Sequence, residues 1–466
     1  MTAPPTTIAD LRGRRAVVLG LARSGVAAAR MLADAGAQVT VYDRRSADDL
    51  ADAIGSLGER AVALALATPP EAVRGMLAEA DLVITSPSIS ARFPTTEPWL
   101  RDALRGAEQS GTPVLSEIDL FLRLTRARVL AVTGTKGKTT TTALIGAALE
   151  AGRVSHAVGG NIGTPLVERV GELGPDDWAV LELSELQLPT ISRGADLAIY
   201  TNIGSDHLDR HGTVEAYRAV KRRLAELTAE RGTVVLNDDD PGCRELDVLL
   251  HGDIRRYGFE RPDLEATIRD GQILLDGRPL MRVADIPLHG RHMTSNVMAA
   301  ALGARLAGAE PEAIAAGIRD FRGVPHRMEM IRDRNGVRWV NDSQATIPMA
   351  AVASIEAFAP APVVLIAGGR GKGLDYADVA EAAARRARAA VLIGESADEL
   401  EALIAGRVPV RRAASMAEAV GLAADAARPG DVVLLSPAAA SFDMFTDYAA
   451  RGEAFRAAVA ELGAAE

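Results

Sequence analysis

Short apolar runs that break off at glycine, serine, asparagine or an acidic residue recur along this chain, and most are followed by an alanine-rich stretch with helical spacing. In "AVVLGLARSGVAAARMLADAGAQVTVYD" the pattern predicts a strand over residues 16–19, a turn over 20–25, a helix to about residue 35 and a second strand ending at Asp43. "ADLVITSPSIS" adds a strand that ends in a serine and proline turn. A second series opens with "VLAVTGTKGKTTTTALIGAALE" and continues through "HAVGGNIGTPL", "DWAVLELSELQ", "DLAIYTNIGSDHLDRHG" and "GTVVLNDDDPG". A third contains "PVVLIAGGRGKGLDY", "AAVLIGES" and "DVVLLSPAAASFDMFTDYAARG". Strands that alternate with helices build parallel sheets, and the polar strand ends then share the one edge where ligands bind. The expectation is an α/β protein of three domains. A Rossmann-like domain would occupy residues 1–116, a central P-loop ATPase-like parallel sheet 117–323, and a second Rossmann-like domain 324–466.

One helix breaks its own pattern. In "TVEAYRAVKRRLAELTAE", Val214, Tyr217, Val220, Leu224 and Leu227 form an apolar stripe, and Lys221 falls inside it. Arg222, Arg223, Glu226 and Glu230 fall on the opposite, solvated face. An inward lysine needs a partner or a modification, whereas a lysine at the rim of the stripe can snorkel to water. Periodicity alone leaves both readings open.

The turn after Val132 carries the clearest chemistry. Gly134 and Gly137 are followed by Lys138 and Thr139, a phosphate-binding pattern shorter than the usual G-x-x-x-x-G-K-[ST]. The glycines let backbone N–H groups close around phosphate oxygens, the helix start adds a positive dipole end, and the threonine hydroxyl can ligate Mg²⁺. A plain helix cap would need neither the buried strand before it nor the lysine. ATP is the expected ligand. Asn161, Glu182, Ser184 and His207 stand at neighbouring strand ends, where they could converge on those phosphates. The first turn is a weaker signal, because Ala22 replaces the middle glycine of the dinucleotide fingerprint. It suits a nucleotide diphosphate better than NAD. Between the second and third series, "GVPHRMEMI" and "WVNDSQATIPMA" bring Arg327, Asp342, Ser343 and Gln344 into a polar junction of the kind that holds ligands.

Composition narrows the partners. The chain has 466 residues, 48% apolar and 24% charged, with a net charge of −10, which argues against nucleic acid or an anionic membrane surface. The single cysteine, Cys243, permits no intrachain disulfide and fits a reducing compartment. No run of 18 apolar residues occurs and no signal-like segment opens the chain, so a cytoplasmic, non-inserted and monomeric protein is expected.

Together "TGTKGKTT", "GGNIG", "TNIGSDHLD" with "YRAVK", "PHR", "NDS", "GG" with Lys372, and "LSPAAASFDMF" resemble the Mur ligase family over essentially the whole chain. These are the ATP-dependent amide-forming enzymes of peptidoglycan precursor synthesis, and the last two motifs look most like the glutamate-adding branch. The resemblance implies addition of D-glutamate to UDP-N-acetylmuramoyl-L-alanine through an acyl phosphate. It implies ATP phosphates at Gly134, Thr135, Lys136, Gly137, Lys138, Thr139 and Thr140, with Asn296, Arg327 and Asp342 on the rest of the nucleotide. Two Mg²⁺ ions would be held by Thr139, Glu182, His207 and Lys221, the last as a carbamate formed with CO₂. Lys138, Glu182, His207 and Lys221 would be the catalytic set. Leu21, Ala22, Asp43, Arg44, Ser86, Asn161 and Ser184 would take the UDP-linked acceptor, and Gln344, Thr346, Lys372, Ser441 and Tyr448 the amino acid.

The resemblance is broken at one place. The glutamate-adding branch reads N-D-S-K-A-T-N where this chain has "NDSQATI", so a cation becomes Gln344 and an amide becomes Ile347. Arg370 beside Lys372 is the candidate to compensate. D-glutamate is expected; the rival is a ligase adding L-glutamate to the same acceptor. A folylpolyglutamate synthase-like ligase is more distant, because about 115 residues with their own nucleotide-like turn precede the phosphate loop. An NAD-binding regulator would need a nicotinamide site at residues 20–25, against which Ala22 stands.

Overall fold

Apolar runs buried on both faces favour parallel pairing, and the first series forms a five-stranded sheet of that kind. Its strands are β1 (Arg15–Leu19), β2 (Gln38–Asp43), β3 (Val62–Leu66), β4 (Leu82–Thr85) and β5 (Val114–Ser116). They lie in the order β3-β2-β1-β4-β5, all parallel, with helices Arg23–Asp34, Pro70–Glu79 and Pro98–Gln109 as crossovers. This is the Rossmann-like order expected. The computed structural model describes residues 3–204, 213–287, 290–371 and 374–462. Two predicted site residues, His207 and Lys372, lie outside the described residues.

The central sheet has nine strands, β6 (Arg128–Thr133), β7 (His156–Gly160), β8 (Trp178–Glu182), β9 (Leu197–Tyr200), β10 (Thr233–Asn237), β11 (Asp253–Tyr257), β12 (Ala266–Arg269), β13 (Gln272–Leu275) and β14 (Arg278–Arg282). Their order is β14-β13-β12-β11-β10-β9-β6-β8-β7. From β7 to β12 the neighbours are parallel, but β12, β13 and β14 pair antiparallel. The parallel body is the sheet expected, and the antiparallel end is an addition to it. Its cause is local: Asp270-Gly271 and Asp276-Gly277 all have positive φ, which two-residue hairpin turns require.

Residues 1–321 form one compact unit and 322–466 another. Within the first, the N-terminal and central sheets share a single buried cluster. Leu32 from the helix after β1, Phe121 from helix Glu117–Leu124 and Leu181 from β8 all belong to it, each with no exposed surface.

The second unit contains β15 (Glu329–Arg334), β16 (Val337–Asn341), β17 (Val363–Gly368), β18 (Ala387–Ile393), β19 (Val410–Arg412) and β20 (Val432–Leu435) in the order β15-β16-β20-β17-β18-β19. Among the described strands of this unit only β15 and β16 pair antiparallel, joined by an Asn335-Gly336 turn. Arg451 is 1% exposed at its centre, donating from Nε to Ser343 Oγ (3.0 Å), from Nη1 to Ala439 O (3.1 Å) and from Nη2 to Ser343 O (2.9 Å). Burial brings its pKa down to about 10, so it remains charged at neutral pH. Arg451→Met leaves two buried carbonyls without these donors, and the expected cost is about 3 kcal/mol, read as a lower urea midpoint for this unit. An unchanged midpoint would mean that these bonds add nothing to stability.

Candidate active site

Strand β6 delivers the chain to Thr133, residues 134–137 form the loop, and the next helix, Lys138–Ala151, begins at Lys138. Gly137 has φ +86° and a Cβ there would collide with Asn296 Oδ1; Gly134 has φ +149° and a Cβ there would collide with Thr201 Oγ1. Both glycines are therefore required by close packing as well as by backbone angle. Lys138 folds over the loop, its Nζ donating to the carbonyls of Gly134 and Thr135, each at 3.0 Å. The loop is braced from the end of β9. Thr201 Oγ1 donates to Lys136 O at 2.6 Å, while the Asn202 amide accepts from Lys136 N and donates to Lys136 O, both at 2.9 Å. Thr135 Oγ1 meets Tyr217 Oη at 3.0 Å and accepts from Gly204 N at 3.0 Å. Thr139 and Thr140 stand partly exposed in the first helical turn.

Lys221 is wholly buried on helix Val214–Ala229, which rules out snorkelling. Its Nζ donates to Gly134 O (3.0 Å) and Thr133 Oγ1 (3.3 Å), so the inward lysine addresses the phosphate loop itself. The solvated face drawn from periodicity needs one correction: Arg223 reaches inward, donating from Nε and Nη2 to Ile191 O.

Glu182 ends β8, which pairs with β6, and is 2% exposed. Its Oε1 accepts from Asn161 Nδ2 at 2.8 Å, and its Oε2 is buried with no hydrogen-bond partner among the described residues. A buried carboxylate oxygen without a donor is costly, and a hard divalent cation is the ligand that would relieve it. The residues present thus fit Mg²⁺: Glu182 would hold it, with the Thr139 hydroxyl as a second oxygen donor. Among the described residues no three or more His, Cys, Asp or Glu side chains cluster as a metal site.

Beside the loop opens a cavity of about 490 Å³, bounded by Lys136, Gly137, Asn202, Asn237, Asp239, Asp240, Phe259, Arg291, His292, Ser295 and Asn296. The Arg291 guanidinium lies 4.0 Å from the Phe259 ring centroid, forming a flat wall suited to a purine.

The residues expected to take the acceptor differ in burial and in partners. Leu21 is 1% exposed, so its side chain belongs to the core, and its N–H donates to Asp43 Oδ2 at 2.8 Å. Ala22 caps helix Arg23–Asp34 with extended backbone. Asp43 is gripped by Arg45 through the backbone N–H (3.0 Å), Nε (3.0 Å) and Nη2 (2.9 Å). Burial alone would raise its pKa, but the Arg45 and Leu21 donors outweigh that and bring it to about 2. Arg44 turns instead to Glu97, at 3.7 Å. Arg23 Nη2 donates to Asn161 O at 3.2 Å, linking the first turn to the Asn161–Glu182 pair. Ser86 and Ser184 are 9% and 8% exposed, and Ser184 Oγ donates to Gln187 Oε1 at 3.0 Å.

In the second unit Asp342 is 3% exposed and accepts from Ser354 Oγ, Ser436 Oγ and Met328 N, while burial raises its pKa from its ordinary value. Arg327 is exposed. Gln344 Nε2 donates to Tyr448 Oη at 3.4 Å, Ser343 Oγ to Tyr448 O at 2.7 Å, and Thr346 N to Gln344 O at 2.9 Å. Gln344, Thr346 and Tyr448 are thus brought together; Ser441, 2% exposed, accepts at its carbonyl from the N–H groups of Met444 and Phe445.

Three family descriptions match successive segments: "Mur ligase MurD-like, N-terminal domain" over residues 14–111, "Mur ligase middle domain" over 132–304, and "Mur ligase, glutamate ligase domain" over 326–439. A UDP-N-acetylmuramoylalanine–D-glutamate ligase from Solibacter usitatus is 40% identical over 448 residues, 96% of this chain and 97% of that one. A protein of the same name from Acidobacterium capsulatum is 39% identical, covering 98% of each chain. The chain belongs to the Mur ligase family. The solved UDP-N-acetylmuramate–alanine ligase MurC from Thermotoga maritima, 18% identical, superposes with a TM-score of 0.54 over 97% of this chain and 100% of that one, so the two share a fold.

For this Mur ligase the sequence reading missed Arg45, Phe259 and Arg291. Arg45 was recoverable, since an aspartate that ends a strand commonly accepts from the backbone two residues on. Phe259 and Arg291 come from separate elements, and no spacing announces that they meet.

Proposed function

We propose that this chain is an ATP-dependent ligase that joins D-glutamate to UDP-N-acetylmuramoyl-L-alanine, acting in the cytoplasm as a monomer built from three parts, 1–116, 117–323 and 324–466. One observation carries the reading: near-full-length identity of about two in five with relatives named for that reaction. Each of those relatives is named for D-glutamate, which does not favour the L-glutamate or the folylpolyglutamate alternative.

A carboxylate is a poor electrophile, so the acceptor's terminal carboxylate first attacks the γ-phosphorus of ATP, and ADP leaves. The acyl phosphate formed is then attacked at its carbonyl carbon by the amine of glutamate. Phosphate departs from the tetrahedral intermediate, the nitrogen loses its proton and the amide remains. The cavity walled by Phe259 and Arg291 holds the adenosine, and the loop N–H groups and helix start hold the phosphates. Lys138 Nζ exchanges its carbonyl partners for phosphoryl oxygens, where negative charge passes from one oxygen to the next. Asn161 fixes the Glu182 carboxylate for the ion. Bound Mg²⁺, in our reading two ions with His207 among the ligands, supplies charge neutralisation at the transferred phosphoryl group.

Lys221 is read as a carbamate: its ammonium gives up a proton, the neutral amine adds to the carbon of CO₂ and a second proton is lost, so that a buried cation becomes an oxygen-bearing anion. Its complete burial against the phosphate loop supports this reading. The amino acid would sit by Gln344, Thr346, Ser441 and Tyr448, with Lys372 or Arg370 supplying the charge that Gln344 lacks.

The chemistry is tested with acceptor carrying ¹⁸O in its terminal carboxylate. One labelled oxygen should appear in the inorganic phosphate released, together with ADP. AMP and pyrophosphate as products would remove the acyl-phosphate mechanism.

A further inference from the structure

Beyond β2, at the strand-end edge where doubly wound sheets bind nucleotides, the acid that normally meets a ribose is consumed. Asp43 accepts from Leu21 and three times from Arg45, leaving it little capacity for a ligand. The adjacent group is aromatic. Helix Pro98–Gln109 starts at the edge where the parallel strands end, and Trp99 stands in its first turn. Its ring lies 6.2 Å from that of Tyr42, the residue before Asp43, at an interplanar angle of 82°. Trp99 Nε1 donates to Glu97 Oε2 at 2.6 Å, and Glu97 Oε1 lies 3.7 Å from Arg44 Nη1. The other two tryptophans, Trp178 and Trp339, are 2% and 3% exposed, whereas Trp99 is only partly buried. An indole tied at its nitrogen to a carboxylate and packed edge-on against a tyrosine has little freedom left to lose when a flat ligand arrives.

We propose that Trp99 is the base-binding residue of the acceptor site, stacking on the uracil of the UDP-linked substrate while Glu97 fixes the indole and keeps Arg44 at the same rim. The proposal rests on the reading of this domain as the UDP site. Stacking is indifferent to base identity, so Trp99 supplies affinity and orientation, and base selection falls to the hydrogen-bonding groups around it.

The test is a titration of the full chain with UDP, followed by tryptophan emission and by calorimetry. Wild-type emission should change and saturate with the calorimetric isotherm. In Trp99→Phe the emission change should vanish while most of the affinity is kept, because phenylalanine still stacks. Trp99→Leu should weaken UDP on the order of tenfold and raise KM for the acceptor by a similar factor, with the effect falling on that KM rather than on kcat. Thermal unfolding of both variants reports whether the packing on Tyr42 survives. UDP binding with unchanged emission, and undiminished in Trp99→Leu, would overturn the stacking role and leave the UDP reading intact. No UDP binding to the wild type would overturn both.

Discussion

Lys138→Ala is expected to lower kcat roughly a thousandfold or more while ADP still binds, because it removes the ammonium that meets the transferring phosphoryl group and little else. The side chain lies over Gly134 O and Thr135 O, anchored to the loop rather than to the core, so the fold does not depend on it. The adenosine cavity is built from other residues, with the Phe259 and Arg291 wall well away in sequence. Lys136 does not substitute. Its backbone is clamped by Asn202 and Thr201 and the residue lines the cavity, so Lys136→Ala should cost much less. A nucleotide titration by calorimetry separates the two effects. If Lys138→Ala lost ADP affinity as well as turnover, the lysine would be a ground-state anchor and not a transition-state group.

Lys221→Ala should be comparably inactive, and for a distinguishable reason. The wild-type side chain has no exposed surface and points at the phosphate loop, so the variant leaves both a cavity and a missing charge. Were the lysine only a buried ammonium donating to Gly134 O, a small carboxylate could not replace it. As a carbamate it presents two oxygens, which acetate or formate diffusing into the vacated space would partly reproduce. Partial rescue of Lys221→Ala by added acetate, and loss of wild-type activity in CO₂-depleted buffer restored by bicarbonate, are the expected results. Failure of both would assign the lysine a cationic role, and full activity of the variant would reduce it to packing.

The lysine was legible in the sequence because helical periodicity is strict: five apolar positions at spacings of three and four fix the buried face, and Lys221 sits on it. Arg223 was not, since a long side chain can leave its own face and bond a distant carbonyl, here Ile191 O. The alternation of strands and helices gave the three sheets, but the antiparallel end of the central one lay in two Asp-Gly pairs, a local turn signal that outranks the long-range alternation. At the acceptor corner the sequence offered Arg44 and Arg45 side by side with equal charge. Only the turn after Asp43 decides that Arg45 faces the carboxylate and Arg44 faces Glu97. The cavity beside the phosphate loop was least legible, because Phe259 after β11 and Arg291 at a helix start meet only through tertiary packing.

This ligase is expected to spend ATP to attach D-glutamate to a UDP-muramoyl-L-alanine acceptor although Gln344 stands where a cation was expected. ADP release measured with that acceptor and with D- or L-glutamate at equal concentration tests it directly. Turnover should depend on the acceptor with D-glutamate and be at least roughly tenfold less with the L enantiomer. Faster turnover with L-glutamate, or none with either, would contradict it.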